Sequence, residues 1–205
     1  ENSVDLWLEG TAADMNTVSI NDDLKRVKYI TENNNDNIVQ SRIQNYLNNY
    51  VKNYHAYYDF LIINPINGKI MVSTQNSLEG YDVSDNEYFT QPMLTRKLSI
   101  KDIYYSKMLG EYTMAYSIPI FDPMNKDIIV GILVARIDLN NSLYPLLLDR
   151  VGLGNTGETL IVNEDVFALN ILRWHGQAPL KLKITAMPAR NAALGKTGIL
   201  QANDY

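Results

Sequence analysis

The run GLGNTG at residues 152–157 has the G-x-G-x-x-G spacing that lets backbone N–H groups close on a dinucleotide pyrophosphate. That chemistry needs a strand before the glycines and a helix after them. Here the helical-looking NNSLYPLLLDRV comes first and the β-rich ETLIVN second, so the run reads as a turn. GKT at 195–197 fails as a phosphate loop, because Arg190 stands where the motif's first glycine belongs. His55 and His175 are the only histidines and cysteine is absent. Neither histidine has a Glu or His at zinc-ligand spacing, so no metal is expected. There is no G-x-S-x-G elbow, and the adjacent Glu164 and Asp165 sit in a turn, where solvated surface explains them. The pattern assigns no catalytic residue and no cofactor, which leaves binding as the chemistry to look for.

Tyrosine carries that possibility, with 14 residues against 4 Phe and 2 Trp. Its ring packs while its hydroxyl seeks a partner, which suits polar pockets as well as cores. Tyr105 and Ser106 close one β-prone run, Tyr112, Met114 and Tyr116 alternate along the next, and Asp138 ends the last. Alternation puts Tyr112, Met114 and Tyr116 on one face of a strand. Two readings fit: a core face with hydroxyls at its rim, or a pocket wall. The pocket reading needs a lid, and GYDVSDNEYFTQPML at 80–94 offers one. Ser84 and Glu87 have capping-box spacing, with Val83 and Tyr88 placed for a hydrophobic staple. A short helix starting near Asp85 would then carry Tyr88 and Phe89 over the sheet.

The elements that must position these groups are read from periodicity. Residues 4–30 show apolar positions at helical spacing, interrupted by a polar interval. TENNNDN then breaks the pattern, and its Asn35 or Asp36 could cap a second helix, in which Ile38 to Tyr54 recur at three and four. From 58 onward the texture is strand, hairpin turn, strand, the capped helix, and three further β-prone runs. Short loops between neighbours imply an antiparallel sheet with helices packed on it, an α+β class. The expected domains are a helical segment over 1–57, an antiparallel sheet module over 58–150, and the start of a second module over 151–205. In that last segment GETLIVNED and GILQAND read as strands and AMPARNAALG as a helix. A net charge of -5 without a long basic run makes a nucleic-acid surface improbable. No stretch is apolar for long enough to span a bilayer, and both ends read as cut from something longer.

The phrases DFLIINPINGKIMVST, GYDVSDNEYF, YSIPIF, VGILVARIDL and VGLGNTGETLIVNED, in this order, resemble a double Cache sensor. Such sensors are two PAS-like modules behind a long helix, on the outer side of membrane histidine kinases and chemoreceptors. The resemblance implies a sensor domain of a membrane-anchored receptor, with a histidine kinase as first parent and a chemoreceptor or cyclic-dinucleotide synthase behind it. It implies a small polar ligand, a homodimer in the intact receptor, and no enzyme activity in this chain itself. It also implies that Tyr88 and Phe89 help enclose the ligand, and with the strand positions read above the expected site is Tyr88, Phe89, Tyr105, Ser106, Met114, Tyr116 and Asp138. Amino-acid-binding members carry an arginine shortly before the aromatic pair, and here that place is Asn86. Asp138 matches the aspartate that meets the ligand amine in those members. With a carboxylate and no matching arginine, the pocket is expected to favour neutral or cationic molecules over anions. The rival from another class is a ligand-free structural module that dimerises through residues 1–54.

Overall fold

In a computed structural model, residues 2–33, 37–148, 153 and 156–202 are described. Asn35 and Asp36, and half of the glycine run at 152–157, lie outside them. The described chain divides into two compact units, residues 1–142 and 143–205.

The first unit is a mixed helix and sheet fold. Helix α1 (Asn2–Ser19) ends before a 3₁₀ turn at Leu24–Arg26, and α2 (Val27–Asn33) and α3 (Asn37–Asn53) come next. The helical periodicity over 4–30 is thus two helices, split at its polar interval, where Asp23 N–H bonds the Asn21 side chain and Asn21 N–H bonds Val18 O. The chain continues through β1 (Tyr57–Ile63), β2 (Ile70–Ser73), α4 (Glu87–Thr95), β3 (Ser99–Ser106), β4 (Glu111–Phe121) and β5 (Ile129–Ile137). The five strands form one sheet in the order β2-β1-β5-β4-β3, antiparallel throughout.

The sheet is covered on both faces, which explains why β5 is apolar at almost every position and not alternating. On one face lie α1 to α3: Tyr50 of α3 packs edge-on against Tyr57 and Phe60, and Tyr57 donates to Asp14 of α1 at 3.0 Å. On the other face α4 closes a core of Leu61, Ile63, Val83, Tyr88, Ala115 and Val134. No helix among the described residues is long and apolar enough to cross a membrane.

The lid helix is present but its start differs from expectation. Asn86 is its N-cap residue and makes no side-chain cap bond, while the Ser84 N–H is taken by the Asp82 carboxylate at 2.9 Å. That local Asx bond competes with the capping box and displaces it. Val83 and Tyr88 are nonetheless both buried, in the same core.

The second unit holds α5 (Leu143–Leu148) and α6 (Met187–Ala193), and has a small core of Ala168, Leu172, Ala178, Ile184 and Ala189. Its two expected strands are absent among the described residues; Val162 with Ala168 and Phe167 with Lys183 form isolated bridges instead. In the first of them, GETLIVNED, a side chain competes for the backbone. Asn170 accepts from Ile161 N–H at 2.8 Å and donates to Thr159 O at 2.9 Å, taking the backbone partners a neighbouring strand would have used.

Candidate functional site

The face beneath α4 has a polar centre inside an apolar frame. Asp59 of β1 and Arg136 of β5 are paired across the sheet and are both fully buried. The Arg136 guanidinium grips both carboxylate oxygens, with Nε to Oδ1 at 2.8 Å and Nη2 to Oδ2 as the second prong. This bidentate fork is the geometry that makes an Arg–carboxylate pair strong and directional. Burial pulls the Arg136 pKa down, but the Asp59 hydrogen bonds and charge outweigh it and hold it above the ordinary value. The spare nitrogen Nη1 lies 3.4 Å from Ser106 Oγ and 3.8 Å from Met108 Sδ.

Around this pair stand two phenols and an ammonium. Tyr88, on α4, is 2% exposed, and burial above all pushes its hydroxyl up to about 12. Tyr104, on β3, is raised further, again by burial first, and its buried hydroxyl has no hydrogen-bond partner. Lys101 places Nζ 4.2 Å from the Tyr104 ring centre and 5.6 Å from that of Tyr88, and donates to Asn86 Oδ1 at 3.3 Å. Desolvation lowers its pKa from the ordinary lysine value, against a partly opposing Glu87 charge.

The structure gathers three of the seven expected residues at this face: Tyr88, Phe89 and Ser106. Phe89 packs against the same core, and Ser106 meets Arg136. The other four are elsewhere. Tyr116 is fully buried on the opposite face, its hydroxyl 3.4 Å from Leu8 O of α1, and Met114 shares that face by alternation. Tyr105 is 52% exposed and stacks edge-on with Tyr112, its cross-strand partner. Asp138 turns its carboxylate onto the next turn, accepting from the N–H groups of Asn140 and Asn141 and from the Asn141 amide. For Tyr105 the cause is local. A bulge between Lys101 and Tyr104 shifts the β3 register, so that Tyr104 and not Tyr105 meets the core under α4.

Sequence reasoning therefore missed Asp59, Lys101, Tyr104 and Arg136. A signal for two of them was present: YYDFLII and IVGILVARI each carry one charge of opposite sign inside an apolar run. Among the described residues no cluster of His, Asp or Glu could hold a metal ion. A groove of 820 Å³ lies away from this centre, lined by Ile20, Lys25, Arg96, Lys97, Phe121 and Lys126 among others. Several of its cations are engaged: Lys25 pairs with Asp22, while Arg96 stacks on Phe121 and donates to Lys126 O.

No curated protein sequence matches the chain. Among solved structures, the sensory domain of the Campylobacter jejuni chemoreceptor Tlp3 with isoleucine bound is similar at a TM-score of 0.63 and 17% identity, over 82% of this chain and 64% of that one. The sensor domain of the V. cholerae histidine kinase DctB is similar at 0.55 and 17%, over 65% and 50%. An extracellular ligand binding receptor from Desulfohalobium retbaense is similar at 0.59 and 14%, over 95% and 34%. The chain thus spans half the length of the DctB sensor domain, and at these identities the likeness concerns the fold. The family model for the Cache domain (dCache_1) matches residues 3–172, most of the chain. With its helices on one face of a five-stranded antiparallel sheet and a short helix on the other, the chain belongs to the Cache domain family.

Proposed function

We propose that this chain is the extracytoplasmic sensing part of a membrane receptor, a sensor histidine kinase in the first place, that binds a small polar ligand beneath α4. A chemoreceptor or a cyclic-dinucleotide synthase is the alternative parent. The carrying observation is the buried Tyr104 hydroxyl without a partner, set at the edge of the Asp59–Arg136 pair and below a nine-residue helix. An orphaned buried hydroxyl costs about 1–3 kcal/mol, and a ligand that accepts its proton recovers that loss. Tyr88 and Phe89 fill the centre of the face, so a ligand enters by displacing α4. That displacement is the event by which occupancy reaches the rest of the receptor.

A ligand at one hundred times its dissociation constant stabilises the folded state by about 2.7 kcal/mol, a rise in melting temperature of roughly 5–10 °C for a chain of this size. A thermal screen of small metabolites is expected to give such hits. Tyr104→Phe separates this reading from the ligand-free structural one. It should leave the free protein as stable as before or more so, and should abolish or sharply reduce the shift. A screen without a hit supports the structural reading.

The intact receptor is proposed to pair through α1. Leu6 is 67% exposed there and Trp7 and Leu8 are half-buried, leaving apolar surface for a second copy. Single cysteines at Asp5 or Glu9 of the full-length receptor are expected to crosslink between copies. Failure at every position along α1 would sink this assembly.

A further inference from the structure

We propose that the ligand held beneath α4 is a small carboxylate lacking an ammonium group, anchored by Lys101. This rests on the ligand site proposed above and reverses the charge preference expected from the sequence. The charges around this face do not balance. Asp59 and Arg136 cancel, with both carboxylate oxygens committed to the guanidinium. Asp138 has both oxygens committed to the 140–141 turn. Lys101 is half-buried, yet no described carboxylate forms an ion pair with it. Its nearest acidic influence, Glu87, lies on the exposed side of α4. The face therefore presents a positive charge, that of Lys101, which no described ion pair neutralises.

An ammonium has three donors, and one of these points to Asn86 Oδ1. The two aromatic faces stabilise the cation but accept no full hydrogen bond. Nζ stands 4.2 Å from the centre of the Tyr104 ring, whose own hydroxyl is buried and unpartnered. A spare cationic donor beside a spare hydroxyl donor is complementary to the two oxygens of one carboxylate, and charge-assisted bonds of this kind are the strong ones. The same charge count disfavours an α-amino acid. Its ammonium would need a carboxylate, and both Asp59 and Asp138 are already occupied. Asn86 contributes by holding the lysine in place, with a neutral carbonyl that does not cancel its charge.

The test is calorimetric titration and thermal melting of the chain with lactate, pyruvate and butyrate, against lactamide, alanine and butylamine as charge-altered counterparts. At least one acid should bind, while its amide and amine counterparts should bind ten-fold more weakly or not at all. Lys101→Met should lose at least ten-fold in affinity for that acid, with the free protein melting within a few degrees of the parent, and Lys101→Arg should retain part of the affinity. Binding of acids that is unchanged in Lys101→Met overturns the anchor. A hit that is neutral or cationic, with no acid binding, overturns the anion assignment while the ligand site itself stands. If neither these acids nor a general metabolite screen gives a hit, both the anion assignment and the ligand site fall.

Discussion

Arg136→Met is expected to lower the melting temperature of the first unit by roughly 6–20 °C. The substitution leaves the fully buried Asp59 carboxylate without the guanidinium that grips both of its oxygens. Removing one partner of a buried ion pair costs about 3–5 kcal/mol, because the remaining charge stays desolvated and uncompensated. For a chain of this length each kcal/mol corresponds to roughly 2–4 °C. Asp59→Leu alone should be comparably damaging, since it strands the Arg136 cation against Ser106 and Met108. The double variant should recover most of the loss, because two apolar side chains can replace a buried pair at little net cost. Calorimetry of the four proteins checks this as a cycle. Losses that simply add would mean the two charges do not hold each other in the folded state.

That pair also shows where legibility in the sequence ended. The architecture was readable because it rests on local signals. The helical spacing of Ile43 and Leu47 reappears as the buried stripe of α3, and the NG turn at 67–68 separates β1 from β2. The five β-prone runs became five strands in the expected antiparallel arrangement. The site was less readable because it depends on register, and register depends on bulges that propensity does not encode. The bulge between Lys101 and Tyr104 exchanges which tyrosine of the Tyr104–Tyr105 pair faces the core. In β4 the alternation itself was right, since Met114 and Tyr116 do share a face. What periodicity could not supply was which face, because both sides of this sheet are covered by helices and both are apolar. Asp138 stands apart from this face for a different reason. An aspartate at a strand end serves equally well to cap the next turn, and here it does so through three hydrogen bonds. The two lone charges inside apolar strands were the stronger signal, since an unpaired charge there is too costly to persist.

Gly68→Ala should be the other strongly destabilising change, and it acts on the approach to the lid. Gly68 has φ +67°, in the left-handed region that an L side chain adopts only at a cost of about 1–2 kcal/mol. It also touches the chain leading into α4: Val83 N–H bonds Gly68 O at 2.9 Å, and Lys69 and Asp82 form a β-bridge. A Cβ at this position would fall on the Ser84 Cβ and within 2.7 Å of the Ser84 Cα, backbone that cannot rotate away. Displacing it adds an overpacking cost of about 1–3 kcal/mol. Gly110→Ala is the matched control, because Gly110 has φ +73° but nothing within 4 Å of the added carbon. Gly110→Ala should therefore show only the conformational part, a fall of roughly 2–8 °C. Gly68→Ala should fall about twice as far, with faster amide exchange at Val83 and through the first turn of α4. Equal losses in the two variants would show that the 80–86 segment is not held by its contact with Gly68. Where that contact does hold the segment, Gly68→Ala should also weaken any ligand bound beneath α4, because a displaced Ser84 moves Asn86, and with it the oxygen that positions Lys101.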